Sequence, residues 1–286
     1  MNYLTYFRKL KSFFRKLYST LMRFLKRKQP KISLLIPFSS TDTYRQKNLN
    51  WLLEYWKHEL PDAEVIIGKS HSRIFSKAEA LNDAVSRSKG KILAIVDADA
   101  YIPGAVLDEA ADMMLANLDN NLWYVPYRRL YRLTYEAAKL VIDSDPSNPY
   151  RFPSPIPESM IHNAGHSTKY GHRHGAMLMM FPRQAYDTIG GFDERFKGWG
   201  GEDVCLLHTL DTLYGKHKTT NNEIYHLWHP FYGDTYQQRH WAGQTGGGSN
   251  KNLSSEYNRA TGKPKEMRKI MDDAAAYRKK MLLEKE

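Results

Sequence analysis

Three short apolar runs alternate with two helix-length segments near the start of this chain, and that order restricts its fold more than any other feature. The runs are Ile32–Phe38, Ala63–Ile67 and Ile92–Val96. Between them lie Arg45–Leu60, ended by Pro61, and Phe75–Ser88. Runs this short and this apolar, bounded by polar turns, read as buried strands. A strand–helix–strand–helix–strand order builds a parallel sheet with crossover helices. Gln29-Pro30 separates the first run from what precedes it, and Gly90-Lys91 leads into the third. Further along, residues 104–118, Val204–Leu213 and Lys263–Glu286 read as helices and Leu122–Val125 as a strand. Ser144–Pro157 holds five prolines and reads as an irregular loop.

The third run stops at Asp97-Ala98-Asp99. On an extended chain, carboxylates at i and i+2 face the same side. That arrangement suits a hard divalent cation held between carboxylate and diphosphate oxygens, and the strand ends of an open α/β sheet are where ligands bind. Taken alone, such a pair also occurs in surface turns. A second motif narrows the choice: residues 190–203 read Gly-Gly-Phe-Asp-Glu-Arg-Phe-Lys-Gly-Trp-Gly-Gly-Glu-Asp. Its glycines open backbone conformations closed to other residues and let a ligand approach. Trp199 offers a flat apolar face for a sugar ring, and Glu202 and Asp203 offer acceptors and a general base. The plain alternative is a glycine-rich turn before a helix capped by Asp203.

Four blocks together resemble a known family. They are Ile32–Phe38, Phe75–Asn82 (Phe-Ser-Lys-Ala-Glu-Ala-Leu-Asn), Asp97-Ala98-Asp99 and Gly175–Asp203. They look like metal-dependent nucleotide-sugar glycosyltransferases of the GT-A type, most of all the β-1,4-galactosyltransferase and chondroitin-polymerase branch, over residues 32–230. The resemblance implies a GT-A (Rossmann-like) α/β fold, a mostly parallel sheet flanked by helices. It implies that Pro37, Phe38, Lys77, Asn82 and Asp97 meet a UDP-sugar donor. It further implies that Asp99 and His226, with Asp97, ligate manganese or magnesium, His229 being the second choice to His226. Trp199, Gly200, Gly201 and Glu202 then face the acceptor, a glycan or glycolipid hydroxyl, and Asp203 is the catalytic base with Glu202 beside it. Aspartate after Gly-Gly-Glu goes with inversion in the resembled enzymes. The chain departs from the pattern at Ser76 and Lys77, which replace Asn-Arg, and in the Ser-Ser-Thr-Asp run after the first strand.

Charge is distributed unevenly. Of 42 basic and 31 acidic residues, nine basic and no acidic ones fall within residues 1–30, which leaves 33 against 31 in the rest. In that segment Tyr3, Phe7, Leu10, Phe14, Leu17, Leu21 and Phe24 recur every three or four positions, predicting an amphipathic helix. A basic helix of this kind lies on anionic membrane surfaces; a helix packed on the catalytic domain and a nucleic-acid-binding arm are the alternatives. Charges interrupt every apolar run, which makes the segment a poor secretory signal, and with no run of about 18 apolar residues no transmembrane helix is expected. The expected organisation is a basic helix over 1–30, a catalytic domain over 31–250 (nucleotide-binding half 31–103, acceptor-side half 104–250) and a helical extension over 251–286. The single cysteine, Cys205, fits a reducing compartment and reads as packing. The expected location is cytoplasmic, peripheral on the inner face of the membrane.

Two further stretches are ambiguous. His172 and His174 precede Gly175-Ala176 and read equally as pocket lining and as solvated loop, while His162 and His166 have no role. Gly243–Ser249 lacks a Walker lysine and reads as a lid or a linker. The rival functions are a DNA-base glycosyltransferase of phage type, disfavoured by the near-neutral body, and a non-catalytic sugar-binding module, disfavoured by the intact carboxylate motifs.

Overall fold

The computed structural model describes residues 29–40, 42–162, 177–198, 200–230 and 250–284. The amphipathic segment, Trp199, His166, His172, His174 and Gly243–Ser249 lie outside the described residues.

The expected strand–helix–strand–helix–strand order is present. Strands β1 (Ile32–Pro37), β2 (Glu64–Gly68) and β3 (Ile92–Val96) alternate with helices α1 (Thr43–Glu59) and α2 (Lys77–Arg87). β1 pairs in parallel with both β2 and β3, so the C-terminal ends of β1 and β3 share one edge. Every residue of β1 and β3 is buried, as a strand covered on both faces requires. Such burial contributes about 1.5–3 kcal/mol per large aliphatic side chain. Asp42 caps α1 by accepting from Arg45 N, and Ser76 caps α2 by accepting from Glu79 N. α1 turns Trp51, Leu52, Tyr55 and Trp56 into the core.

The sheet continues as β2-β1-β3-β7-β5-β8, with β5 (Tyr124–Val125), β7 (Leu178–Pro182) and β8 (Lys218–Thr219). Three of these pairings are parallel, and β7 runs antiparallel to both β3 and β5. Helices α3 (Gly104–Leu115), α4 (Tyr135–Ile142) and α5 (Arg183–Ile189) complete the surround. A second sheet, unforeseen in the sequence, orders β4 (Ala100–Tyr101), β9 (Glu223–His226) and β6 (Arg129–Arg132) as β4-β9-β6.

Helix α6 (Glu202–Leu213) follows the glycine-rich loop, and α7 (Asn250–Ala260) and α8 (Pro264–Leu283) pack beside it. Phe196, Cys205, Tyr257, Ala260, Met267 and Met271 form a small separate core there. Burial pushes the Cys205 thiol up to about 12, so it packs as an inert side chain. No helix among the described residues is long and apolar enough to cross a membrane.

Candidate active site

The antiparallel pairing of β4 with β9 builds one half of the site. Ala100 stands opposite His226, and Leu227 N donates to Asp99 O at 2.8 Å. This register carries both His226 and His229 to Asp99. The Asp99 carboxylate lies 3.8 Å from His226 Nε2, 3.4 Å from His229 Nε2 and 3.7 Å from Arg45 Nη2. One ligand atom from each of Asp99, His226 and His229 lies within 4.8 Å of the others.

The protonation states suit a cation. Burial alone would raise the Asp99 carboxyl, but its interactions with His226, His229 and Arg45 hold it well below the usual carboxylate range. Burial keeps His226 below its ordinary value, hence neutral, against the pull of Asp99. His229 Nδ1 sits 3.0 Å from Pro230 O. With Nδ1–H donating there, Nε2 is the nitrogen left to a metal, the orientation that a carbonyl partner gives a metal-binding imidazole. Asn48 Nδ2 donates to Trp228 O at 3.1 Å, and Tyr44 and Tyr135 meet the Trp228 ring edge to face, which fixes the stretch between the two histidines. One buried carboxylate and two imidazoles make a reasonable set for manganese.

Asp97 is not part of this cluster. β3 ends at Val96, and a turn follows in which Ala100 N donates to Asp97 O at 3.0 Å. Strand alternation therefore lapses between Asp97 and Asp99. Asp97 instead faces Lys77, whose Nζ lies 2.7 Å from Asp97 Oδ1 and 2.8 Å from Asp203 Oδ1. The Lys77 ammonium thus joins the end of β3 to the start of α6. Burial opposes its charge, but Asp203, Asp97 and Glu202 together raise its pKa well above the ordinary value.

Gly200 and Gly201 have φ of 106° and 94°, backbone that side-chain-bearing residues rarely adopt. This explains the glycine pair: the chain makes a left-handed entry into α6, with Gly201 as its N-cap. Asp203 sits in the first turn and is not the cap. Gly200 N donates to Glu202 Oε2 at 3.1 Å. Burial, then the Asp203 charge, raises Glu202 to about 7. Burial likewise raises Asp203, with Lys77 pulling the other way.

The Phe75–Asn82 block reaches the backbone of the loop before α6. Asn82 Nδ2 donates to Phe192 O and Glu194 Oε1, and its Oδ1 accepts from Phe192 N and Tyr186 Oη. These four bonds fill the amide's capacity, so Asn82 holds the Gly-Gly-Phe-Asp loop. Pro37 closes β1 opposite Gly68, and Phe38 packs partly buried beyond it. Both stand at the sheet edge from which Asp97 emerges.

Arg45 is a residue sequence reasoning missed. A cation in a helix's first turn opposes the helix dipole, and that mismatch was the available signal. Its Nε is a buried donor without a partner among the described residues.

Comparison with known proteins addresses the C-terminal half. Residues 160–227 match the family model described as the N-terminal domain of galactosyltransferase. Chondroitin sulfate N-acetylgalactosaminyltransferase 2 of Homo sapiens is 34% identical over 80 residues, which are 27% of this chain and 14% of that protein. This chain thus spans about a seventh of that relative. Among solved structures, the catalytic domain of Drosophila beta1,4galactosyltransferase 7 in complex with xylobiose aligns at 13% identity, covering 77% of this chain and 83% of that one, with a TM-score of 0.40. S. aureus TarS aligns at 14% identity over 69% of this chain and 37% of that one, with a TM-score of 0.39. Residues 160–227, which run from before the Trp-Gly-Gly-Glu-Asp loop to His226, are thus the part of the chain that is similar to the galactosyltransferase family model.

Proposed function

We propose that this chain is a metal-dependent, inverting glycosyltransferase that moves a hexose or N-acetylhexosamine from a UDP-sugar to a hydroxyl of a surface glycan or glycolipid. The observation that carries this reading is the Lys77 bridge. It sets Asp203 against Asp97, two residues from the Asp99–His226–His229 cluster. This nearness supports a cation site and a base at one sheet edge, where a diphosphate would leave and a hydroxyl attack.

Asp99, His226 and His229 would hold manganese or magnesium, which offsets charge on the leaving diphosphate when bound. The remaining work belongs to the chain. Arg45 offers its buried Nε to an anionic group. Lys77 keeps the Asp203 carboxylate aimed and compensated. Asp203 accepts the proton of the attacking hydroxyl, and Glu202 binds the acceptor beside it. Turnover of a nucleotide-sugar panel with manganese, with linkage analysis of the products, tests this. A protein that binds sugar but turns over none of the panel would be a binding module instead.

The raised carboxyls set the pH response. A protonated Asp203 cannot take up the hydroxyl proton, and its carboxyl is raised by burial, so activity should already fall on acidification above pH 4, about where a free carboxyl titrates. A rate profile flat down to about pH 5 would contradict the assignment.

Residues 1–30 are proposed to dock the enzyme on the inner, anionic face of a membrane. Each cation near such a surface contributes about 1 kcal/mol, and salt weakens it. Deleting residues 1–30 removes nine of the chain's cations. The truncated enzyme should lose binding to anionic liposomes yet keep turnover on a soluble acceptor. Full-length protein that ignores liposomes but co-sediments with duplex DNA in a steeply salt-dependent way would favour the nucleic-acid reading.

A further inference from the structure

The loop that leads to Glu202 and Asp203 is held from two sides. From the α2 side, Ser76 Oγ donates to Phe196 O at 2.8 Å and Gly198 N donates to Phe75 O at 2.7 Å. From the C-terminal helices, Asn250 at the start of α7 holds both polar backbone groups of Lys197. Its Oδ1 accepts from Lys197 N at 3.3 Å, and its Nδ2 donates to Lys197 O at 2.9 Å. Asn250 is only 2% exposed.

We propose that Asn250 is a positioning residue for the site: it latches residues 196–201 and so sets where Glu202 and Asp203 stand. The proposal rests on the transferase reading for its catalytic consequence, though not for the latch itself. Three features support it. First, the described residues of this stretch belong to no strand, and Gly198, Gly200 and Gly201 all have positive φ, so their backbone leans on outside partners. Second, one side-chain amide matching both the N–H and the C=O of a single residue copies half of a strand ladder. Asparagine has the required donor and acceptor, whereas aspartate would set a carboxylate against Lys197 O. Third, the same two helices hold the loop's earlier part. Tyr257 Oη donates to Asp193 Oδ2 at 2.8 Å, Arg195 Nη2 donates to Ile270 O at 3.1 Å and Arg278 Nη2 donates to Gly190 O at 2.8 Å. The C-terminal extension, which carries no chemistry in its sequence, is thereby the outer wall of the acceptor side. Asn250 is the one of these contacts that grips the segment immediately before the catalytic pair.

The test compares full-length wild type with Asn250→Ala by amide hydrogen exchange, thermal unfolding and manganese-dependent release of UDP from UDP-galactose. Loss of two buried hydrogen bonds should speed exchange of the 192–201 peptide by about tenfold, with the β1 and β3 peptides unchanged. The kcat for UDP release should fall by about tenfold while KM for UDP-galactose moves by less than about twofold. Asn250→Gln, which keeps the amide, should recover part of both losses. Unchanged exchange of the 192–201 peptide in Asn250→Ala overturns the latch, as does faster exchange with unaltered kcat. If Asn250→Ala fails to fold, the same comparison made with Asn250→Gln decides. Wild type that turns over no nucleotide sugar would refute the transferase reading and leave the exchange result to judge the latch alone.

Discussion

Asp99→Ala is expected to abolish manganese-dependent turnover. Asp99 supplies the only carboxylate in the Asp99–His226–His229 cluster, and the surroundings keep that carboxylate ionised although it is buried. Removing it takes away the site's negative charge and leaves the Arg45 guanidinium facing two imidazoles. A divalent cation then enters a pocket of net positive character. Loss of an outer partner of a metal ligand costs about 10–100-fold in affinity or activity, and loss of the carboxylate itself should exceed that. His226→Ala and His229→Ala keep the carboxylate and should weaken manganese binding by less. Manganese titration of turnover, with direct binding by calorimetry, distinguishes these outcomes. Full activity of Asp99→Ala, or wild-type turnover undiminished by a chelator, would remove the cation from the mechanism.

The parts of the fold legible in the sequence are those whose signal is local. β1 and β3 are buried along their whole length, so their composition alone announces them. The caps at Asp42 and Ser76 lie where the helices start. The second sheet gave no such signal. β4 has two residues, and β6 reads Arg-Leu-Tyr-Arg, with only Tyr131 buried. These strands exist because β9 pairs with both, a contact between distant parts of the chain.

The site was legible in the same way, residue by residue, while its connections were not. Both carboxylate motifs and both histidines were visible as chemistry. Which of them meet is decided by register and by one turn. A strand carried one residue further would have directed Asp97 differently; the turn after Val96 sends it to Lys77 and leaves Asp99 to the histidines. Asn82 and Ser76 illustrate the same limit. In sequence they look like part of a ligand-binding block, whereas their partners are the backbone of Phe192 and Phe196, more than a hundred residues away.

Asp203→Asn should lower turnover by about 10²–10⁴-fold, the range a positioned general base contributes, while donor binding survives. The substitution keeps the side chain's shape and an oxygen that can accept from Lys77 Nζ. Lys77 also retains Asp97, so the donor side of the bridge remains in place. What is lost is the ability to take up a proton where the acceptor hydroxyl must lose one. Glu202 cannot substitute without rearrangement, because one of its carboxylate oxygens already accepts from Gly200 N. Removal of one charge should also ease the raised Glu202 carboxyl, since Asp203 is its main charged antagonist after burial itself. Residual activity in Asp203→Asn is therefore expected to show an acid limb displaced toward lower pH. Equilibrium binding of UDP-sugar with manganese, set beside turnover, separates the two roles open to this residue. Intact binding with collapsed turnover identifies the base; lost binding with turnover preserved at saturating donor would make Asp203 a partner of Lys77 in holding the donor and pass the proton to another group.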